Sequence, residues 1–410
     1  MTPPSETKGP RYLWLTRFFP YPTHAGDRIY SARLIEALTE QECRVTVFCN
    51  EGGADTALLP AGPAQRVEWI ACPLGRGSRM LRYAFSRLPR HALRLSAPGP
   101  RRILRSLLAR QDWDAVVIDY VTMGWTLPLL METARTTERP LRLVYVAHNH
   151  EASLRRLAYR HSNAAAALRL AQRIDGARIA ALEHRLLATV DCVTVTTAAD
   201  LALFETDAPQ QRYHILVPGY DGPELAERGL TAETPRRVVV VGSFDWIAKQ
   251  QNLAEFLEAA APLADHGIGI DIVGSGPPDL LAKWRQRFPY ATIHGRVDAV
   301  EPYLQGARIS LVPERTGGGF KLKVLNAVFQ HCPVFGIAGS ITQVPLAEGR
   351  SVRLFPDFPT LVHGIIQDID NLDGLNALHT AAYAACRDHF HWSDRGKSLR
   401  RVLAGPQKEG

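Results

Sequence analysis

The chain has 410 residues, 48 Lys and Arg against 41 Asp and Glu, and 46% hydrophobic residues. That balance excludes a disordered tail, a collagen-like repeat and an integral membrane protein, and the length suggests two or three domains. No apolar run reaches the roughly 18 residues of a membrane-spanning helix, and the opening MTPPSETKGP lacks the apolar stretch of a secretory signal.

In chain order, short β-rich runs predict strands at Leu13–Thr16, Val45–Phe48, Ala115–Ile118, Leu143–Val146, Cys192–Thr196 and Tyr213–Val217. After a break they resume at Val238–Val241, Ile268–Val273, Ala291–Ile293, Ile309–Val312 and Pro333–Phe335. Helical periodicity lies between them, as in Tyr30, Leu34 and Leu38 or Leu322, Leu325 and Phe329. Strand and helix alternating this often predict an α/β fold: two doubly wound, Rossmann-like parallel-sheet domains facing a cleft that holds the ligands. The expected domains are residues 1–218 and 237–385, joined by the polar linker 219–236. A C-terminal helix within residues 386–410 could pack back on the first domain. Six scattered cysteines, Cys43, Cys49, Cys72, Cys192, Cys332 and Cys386, show no paired spacing, which fits a reducing cytosol.

The strongest chemical signal follows Ile309–Val312. Glu314 precedes Gly317-Gly318-Gly319-Phe320-Lys321-Leu322-Lys323, and a helical pattern follows. Glycines let backbone N–H groups approach an oxyanion, and a helix start with Lys321 and Lys323 favours negative charge. A plain flexible turn with two solvated lysines is the competing account. A P-loop is excluded, because Gly396-Lys397-Ser398 has His391 where its upstream glycine belongs. A dinucleotide fingerprint fails too, since Gly274-Ser275-Gly276-Pro277-Pro278-Asp279 has an aspartate in place of the third glycine.

The run GGGFKLKVLNAVFQHCPVFG resembles the donor-site signature of GT-B glycosyltransferases, most closely glycosyltransferase family four. Pro20–Arg28 resembles that family's first-strand Gly loop, and Val217–Asp221 its interdomain turn. Gly242–Trp246 resembles the start of its second domain, and Gly274–Pro277 its Gly-x-Gly-Pro turn. The resemblance spans about residues 11–400. It implies an N-terminal acceptor domain and a C-terminal donor domain. The donor set would be Gly242, Ser243, Lys249, Gly274, Gly318, Gly319, Phe320, Lys321, Lys323 and Asn326, with Lys321 also catalytic. Two glutamates of the family pattern fall on Gly318 and Asn326 here. Asn326 can still bind a ribose hydroxyl, and Glu314 could supply an acceptor group instead.

In the first half, Leu143–Val146 leads into Ala147-His148-Asn149-His150-Glu151. The resemblance implies that His148 is catalytic and touches the transferred sugar, with Asn149 on the acceptor side. A satisfied strand-end histidine, or a metal held by His148, His150 and Glu151, are the alternatives. Gly26 would let an acceptor approach the backbone, Asp27 could cap the first helix, and Arg17 and Arg28 could meet an anionic acceptor.

From Gly75 to Arg110 ten arginines run without an Asp or Glu: Arg76, Arg79, Arg82, Arg87, Arg90, Arg94, Arg101, Arg102, Arg105 and Arg110. Met80, Leu81, Tyr83, Phe85, Leu88, Leu93 and Leu95 are interleaved. An anionic membrane surface or phosphorylated acceptor suits such a stretch, while an ordinary solvated face is the plain account. No nucleic-acid motif accompanies it.

The expectation is a glycosyltransferase moving a sugar from a nucleotide-diphosphate sugar, its co-substrate, to a glycan or lipid-linked acceptor. The resemblance implies retention and neither a metal nor a further cofactor. A place in polysaccharide biosynthesis, in the cytoplasm and at the inner membrane face, goes with that reading. A nucleotide-sugar epimerase or a silent GT-B binding subunit are the alternatives.

Overall fold

The computed structural model describes residues 9–23, 26–51, 56–72, 83, 85–110, 112–137, 140–160, 165–315 and 320–406. The chain divides into two compact units, Met1–Gly219 with Trp392–Gly410, and Tyr220–His391.

The first unit holds strands β1 (Arg11–Phe18), β2 (Arg44–Glu51), β3 (Glu68–Ala71), β4 (Ala115–Asp119), β5 (Arg142–Val146), β6 (Cys192–Val195) and β7 (Tyr213–Ile215). All neighbours are parallel in the order β3-β2-β1-β4-β5-β6-β7. Its central strands are apolar on both faces, as a helix-covered parallel sheet requires. Leu13, Leu15, Val116, Ile118 and Tyr145 enter one core cluster. Tyr12, Trp14, Val117, Val144 and Val146 enter another, following the two-residue alternation of a strand.

The second unit repeats the plan with β8 (Arg237–Val241), β9 (Gly269–Val273), β10 (Ala291–Gly295), β11 (Ile309–Val312), β12 (Val334–Ile337) and β13 (Arg353–Phe355). The order is β10-β9-β8-β11-β12-β13, again all parallel. In each sheet the order reverses beside the first strand, at β1/β4 and β8/β11. Ligands of doubly wound sheets bind beyond the strand carboxyl ends at such a point. All eleven expected strands are present; β3 and β13, both at sheet edges, were not expected.

The last helix, Trp392–Ala404, belongs to the first unit. Leu399 and Leu403 are buried with Leu34, Ile35 and Leu38 of the Gly26–Glu40 helix. Gly396 sits so close that a Cβ there would come 2.5 Å from the Ala37 carbonyl oxygen. The Gly-Lys-Ser triplet is thus mid-helix, not a phosphate loop. The polar stretch after Gly219 is seated on the second unit. Arg228 donates to the carbonyls of Gln305, Ala307 and His331, and Leu230 is buried in that unit's core. Among the described residues no helix is long and apolar enough to cross a membrane.

Candidate active site

In the first unit, β4 ends on the fully buried Asp119 and β5 ends just before Ala147 and His148. His148 Nε2 meets Asp119 Oδ1 at 2.6 Å, and Trp14 Nε1 donates to Asp119 Oδ2 at 2.9 Å. The imidazole stacks on Tyr120 with centroids 4.0 Å apart and meets the edge of Tyr30 at 5.3 Å. Its side chain is 8% exposed. This is a histidine oriented by a carboxylate at the sheet's reversal point, with half-buried Asn149 beside it.

His150 diverges from it. Its Nδ1 meets Ser153 Oγ at 2.8 Å, its Nε2 meets Asp207 at 3.1 Å, and its ring packs on Phe204. The strand has ended before His148, so two-residue alternation no longer puts both rings on one face. Among the described residues no group of three His, Cys, Asp or Glu side chains is placed to hold a metal ion.

The loop after β1 lies nearby. Gly26 and Asp27 open the Gly26–Glu40 helix, so Asp27 sits inside its first turn. Asp27 accepts from the Arg28 backbone N–H at 2.9 Å and from Arg17 Nη2 at 3.2 Å. Arg17 also lies over Tyr120, 4.3 Å from the ring centroid. Arg28 donates to the Phe19 carbonyl at 2.8 Å and covers Phe18. Both expected anion-binding arginines therefore already have protein partners.

In the second unit, residues following β8, β9 and β11 converge. Gly242, Ser243, Lys249, Asn252, Glu314 and Lys323 line one tight cavity. Gly274 has φ +147°, and a Cβ there would come 1.5 Å from the Gly242 carbonyl oxygen, so the turn admits only glycine. Ser243 donates to Asp245 at 2.6 Å. Asn326 is half-buried one turn into the Leu322–Phe329 helix, and Phe320 packs against Phe390. Gly318 and Gly319 lie outside the described residues.

Glu314 dominates this site. Lys321 Nζ lies 3.0 Å from its Oε2, and Lys323 Nζ pairs with Oε1. Both lysine side chains are mostly buried, 10% and 18% exposed. Burial pushes the Glu314 carboxyl up, but the charges of Lys323 and Lys321 overcome it and hold the pKa near 2. Burial pushes Lys323 down, Glu314 counters, and Lys321 and Lys249 add repulsion. Each Glu314 oxygen is thus paired with one lysine. Three ammonium groups here have one buried carboxylate to share, which favours an anionic ligand.

The lysines and His148 stand out in the sequence as candidates, whereas Asp119, Tyr120 and the Glu314 bridge do not. A carboxylate ending the otherwise apolar run Ala115–Asp119 was the available signal for the first.

The basic segment is more engaged than its sequence suggests. Arg110 pairs with Glu68 through both terminal nitrogens at 3.0 and 3.1 Å. The Arg90 N–H and the Tyr83 hydroxyl both donate to Asp175. Leu95 is fully buried and Leu88 packs on the same core, so neither is free to enter a membrane. Phe85 stands out at 87% exposed. Arg76, Arg79, Arg82, Met80 and Leu81 lie outside the described residues.

Two family models match, one in each unit: "Glycosyl transferase 4-like domain" over residues 26–219 and "Glycosyl transferases group 1" over residues 235–371. No curated protein matches the sequence. Among solved structures, sucrose-phosphate synthase from Thermosynechococcus elongatus is similar at TM-score 0.71 and 17% identity, covering 96% of this chain and 98% of its own. WaaG, a glycosyltransferase involved in lipopolysaccharide biosynthesis, gives 0.65 and 16%, covering 97% and 100%. HepE from Anabaena, in complex with UDP and glucose, gives 0.63 and 14%, covering 96% and 99%. The two matched models, on two doubly wound parallel sheets, place the chain in the family of group 1 and 4-like glycosyl transferases, as a glycosyltransferase of the GT-B fold.

Proposed function

We propose that this glycosyltransferase moves a sugar from a nucleotide-diphosphate donor to a glycan or lipid-linked acceptor, with retention and without a metal. The observation that carries the reading is the buried pair Lys321 and Lys323 at the reversal point of the second sheet. The similar HepE, described with UDP and glucose, supports a nucleotide-sugar donor.

In the proposed step the bond from the anomeric carbon to the diphosphate oxygen breaks, and a bond to the acceptor oxygen forms on the same face. The acceptor proton passes to the departing phosphate. Lys321 and Lys323 stabilise the charge growing on that phosphate. With Nε2–H donated to Asp119, His148 keeps Nδ1 to accept from a sugar hydroxyl. Gly26, Asp27, Arg28 and Asn149 are assigned to the acceptor. The enzyme is assigned to the cytoplasm, peripheral to the inner membrane face, in polysaccharide biosynthesis. The exposed Phe85 and the exposed arginines around it support that membrane contact.

The test is a titration of UDP into the Lys321→Ala/Lys323→Ala variant. Each lost lysine–phosphate contact costs about 1.5–3 kcal/mol, so affinity should fall by at least ~100-fold. Unchanged affinity in the folded variant removes this site from the mechanism. Product analysis with a donor panel, with and without lipid acceptor, separates transfer from hydrolysis.

A further inference from the structure

The first unit carries another polar site at the opposite, amino-terminal edge of its sheet. Arg142 opens β5, Cys192 opens β6 and Tyr213 opens β7, so these parallel strands present their starts together. His148 and Asp119 lie at strand carboxyl ends, a strand's length away. Beside the starts is an open, solvent-facing hollow of about 440 Å³, completed by Ser398 and Arg401 from the Trp392–Ala404 helix.

Three guanidinium groups line it: Arg142, Arg212 and Arg401. Some arginines elsewhere are neutralised, as Arg110 is by Glu68, Arg237 by Asp271 and Arg308 by Asp370, while others such as Arg228 and Arg285 meet backbone carbonyls. Among the described residues, none of these three has a carboxylate within ion-pair distance. Arg142 is nonetheless held in place. Its Nε donates to the Val402 carbonyl at 2.8 Å, and Nη1 lies against Gly405, where a Cβ would come within 2.9 Å of it. His214 Nε2 meets Ser398 Oγ at 2.7 Å on the same lining. Burial first, and Arg401 second, push the His214 pKa down, so this ring adds hydrogen bonding and not a fourth charge.

Asp191 lies beside Cys192 but is held by the Leu143 N–H, so the three like charges have no carboxylate in contact; they repel one another, and an anion relieves them. We infer that this cavity binds a soluble phosphate ester or diphosphate, as an anion site separate from the lysine pair. Its volume falls in the range of small-molecule sites, and guanidinium forks match phosphate oxygens two at a time. The lining holds no exposed large apolar side chain to enter a bilayer, which suits a soluble anion better than a lipid surface.

Inorganic pyrophosphate, titrated calorimetrically into the full chain at low salt, is the probe. In the Lys321→Ala/Lys323→Ala variant it should still bind once. Adding Arg212→Gln and Arg401→Gln, both exposed and so tolerant of change, should weaken that binding about 100-fold, at roughly tenfold per charged contact. Arg142→Lys keeps the charge but loses the fork and should weaken it about tenfold. If the lysine variant does not fold, the same arginine substitutions in the natural chain should reduce the pyrophosphate stoichiometry from two to one. Absence of saturable binding in the folded lysine variant overturns the inference, as does equal affinity with and without the two arginines. Capture by phosphatidic acid vesicles without any pyrophosphate binding also overturns it, in favour of a lipid headgroup.

Discussion

At the scale of single residues, each unit builds its site around one buried carboxylate: Asp119 orients His148, and Glu314 holds two lysines. For Glu314 the pH consequence has a definite sign. Its folded pKa near 2 lies below the 4.5 of an unperturbed glutamate, so its contribution is present above about pH 4.5 and is lost as pH falls toward 2. The difference corresponds to about 3 kcal/mol. Urea unfolding of the second unit, followed by fluorescence between pH 5 and 2, should show a loss of that order. Glu314→Gln should be less stable at pH 7 and should lose this component of the acid dependence. A natural chain whose stability stays flat to pH 2 would contradict the ion-pair geometry. For the first unit, His148→Ala should lower turnover by at least tenfold while leaving UDP affinity within twofold, because the histidine belongs to the unit without the lysine pair. Normal turnover would return His148 to the role of a satisfied strand-end residue.

At the scale of elements, legibility tracks burial. The central strands were readable because helices cover both faces and demand runs such as Val238–Val241. The edge strands β3 and β13 were not, because Glu68–Ala71 and Arg353–Phe355 are short, half-exposed and mixed in polarity. The lysines were readable from their place after a strand and glycines. Their bridge through Glu314, and the pairing of Asp119 with a histidine 29 positions later, are tertiary facts without local periodicity. The return of the last helix to the first unit was expected, but its close approach was not legible, since it depends on Gly396 meeting Ala37. That contact is testable. Gly396→Ala would drive a methyl into the Ala37 backbone and should cost about 1–3 kcal/mol in thermal or urea unfolding of the first unit. Gly99→Ala, in the same unit and with only the Cys72 sulfur at 3.9 Å from the new methyl, is the matched control and should change stability by less than about 1 kcal/mol. Equal stabilities of the two variants would mean that the helix does not pack this closely.

At the scale of the whole molecule, the formal charge of +7 is unevenly used. Within the basic segment Glu68 neutralises Arg110, while Asp175 holds only the Arg90 backbone N–H and the Tyr83 hydroxyl. Exposed arginines of the segment include Arg87, Arg90, Arg102 and Arg105, near the protruding Phe85 in the chain. Tyr83 ties this stretch to the Ala166–Leu187 helix through Asp175 and Arg178, and that helix exposes Leu168, Leu170 and Ile174. Basic and apolar groups on neighbouring elements are what the proposed membrane contact would use. Each arginine reaching an anionic bilayer contributes about 1 kcal/mol, and the attraction is screened within a Debye length of ~3 Å at 1 M salt. Sedimentation with vesicles of anionic lipid should therefore recover the protein at low salt and lose it at high salt. Phe85→Ser should reduce recovery modestly, since one ring supplies shallow insertion only. Replacing Arg102 and Arg105 by Gln should reduce it about tenfold or more, at roughly 1 kcal/mol each. Equal recovery on neutral and anionic vesicles would remove the electrostatic mechanism, and recovery on neither would assign the enzyme a soluble acceptor.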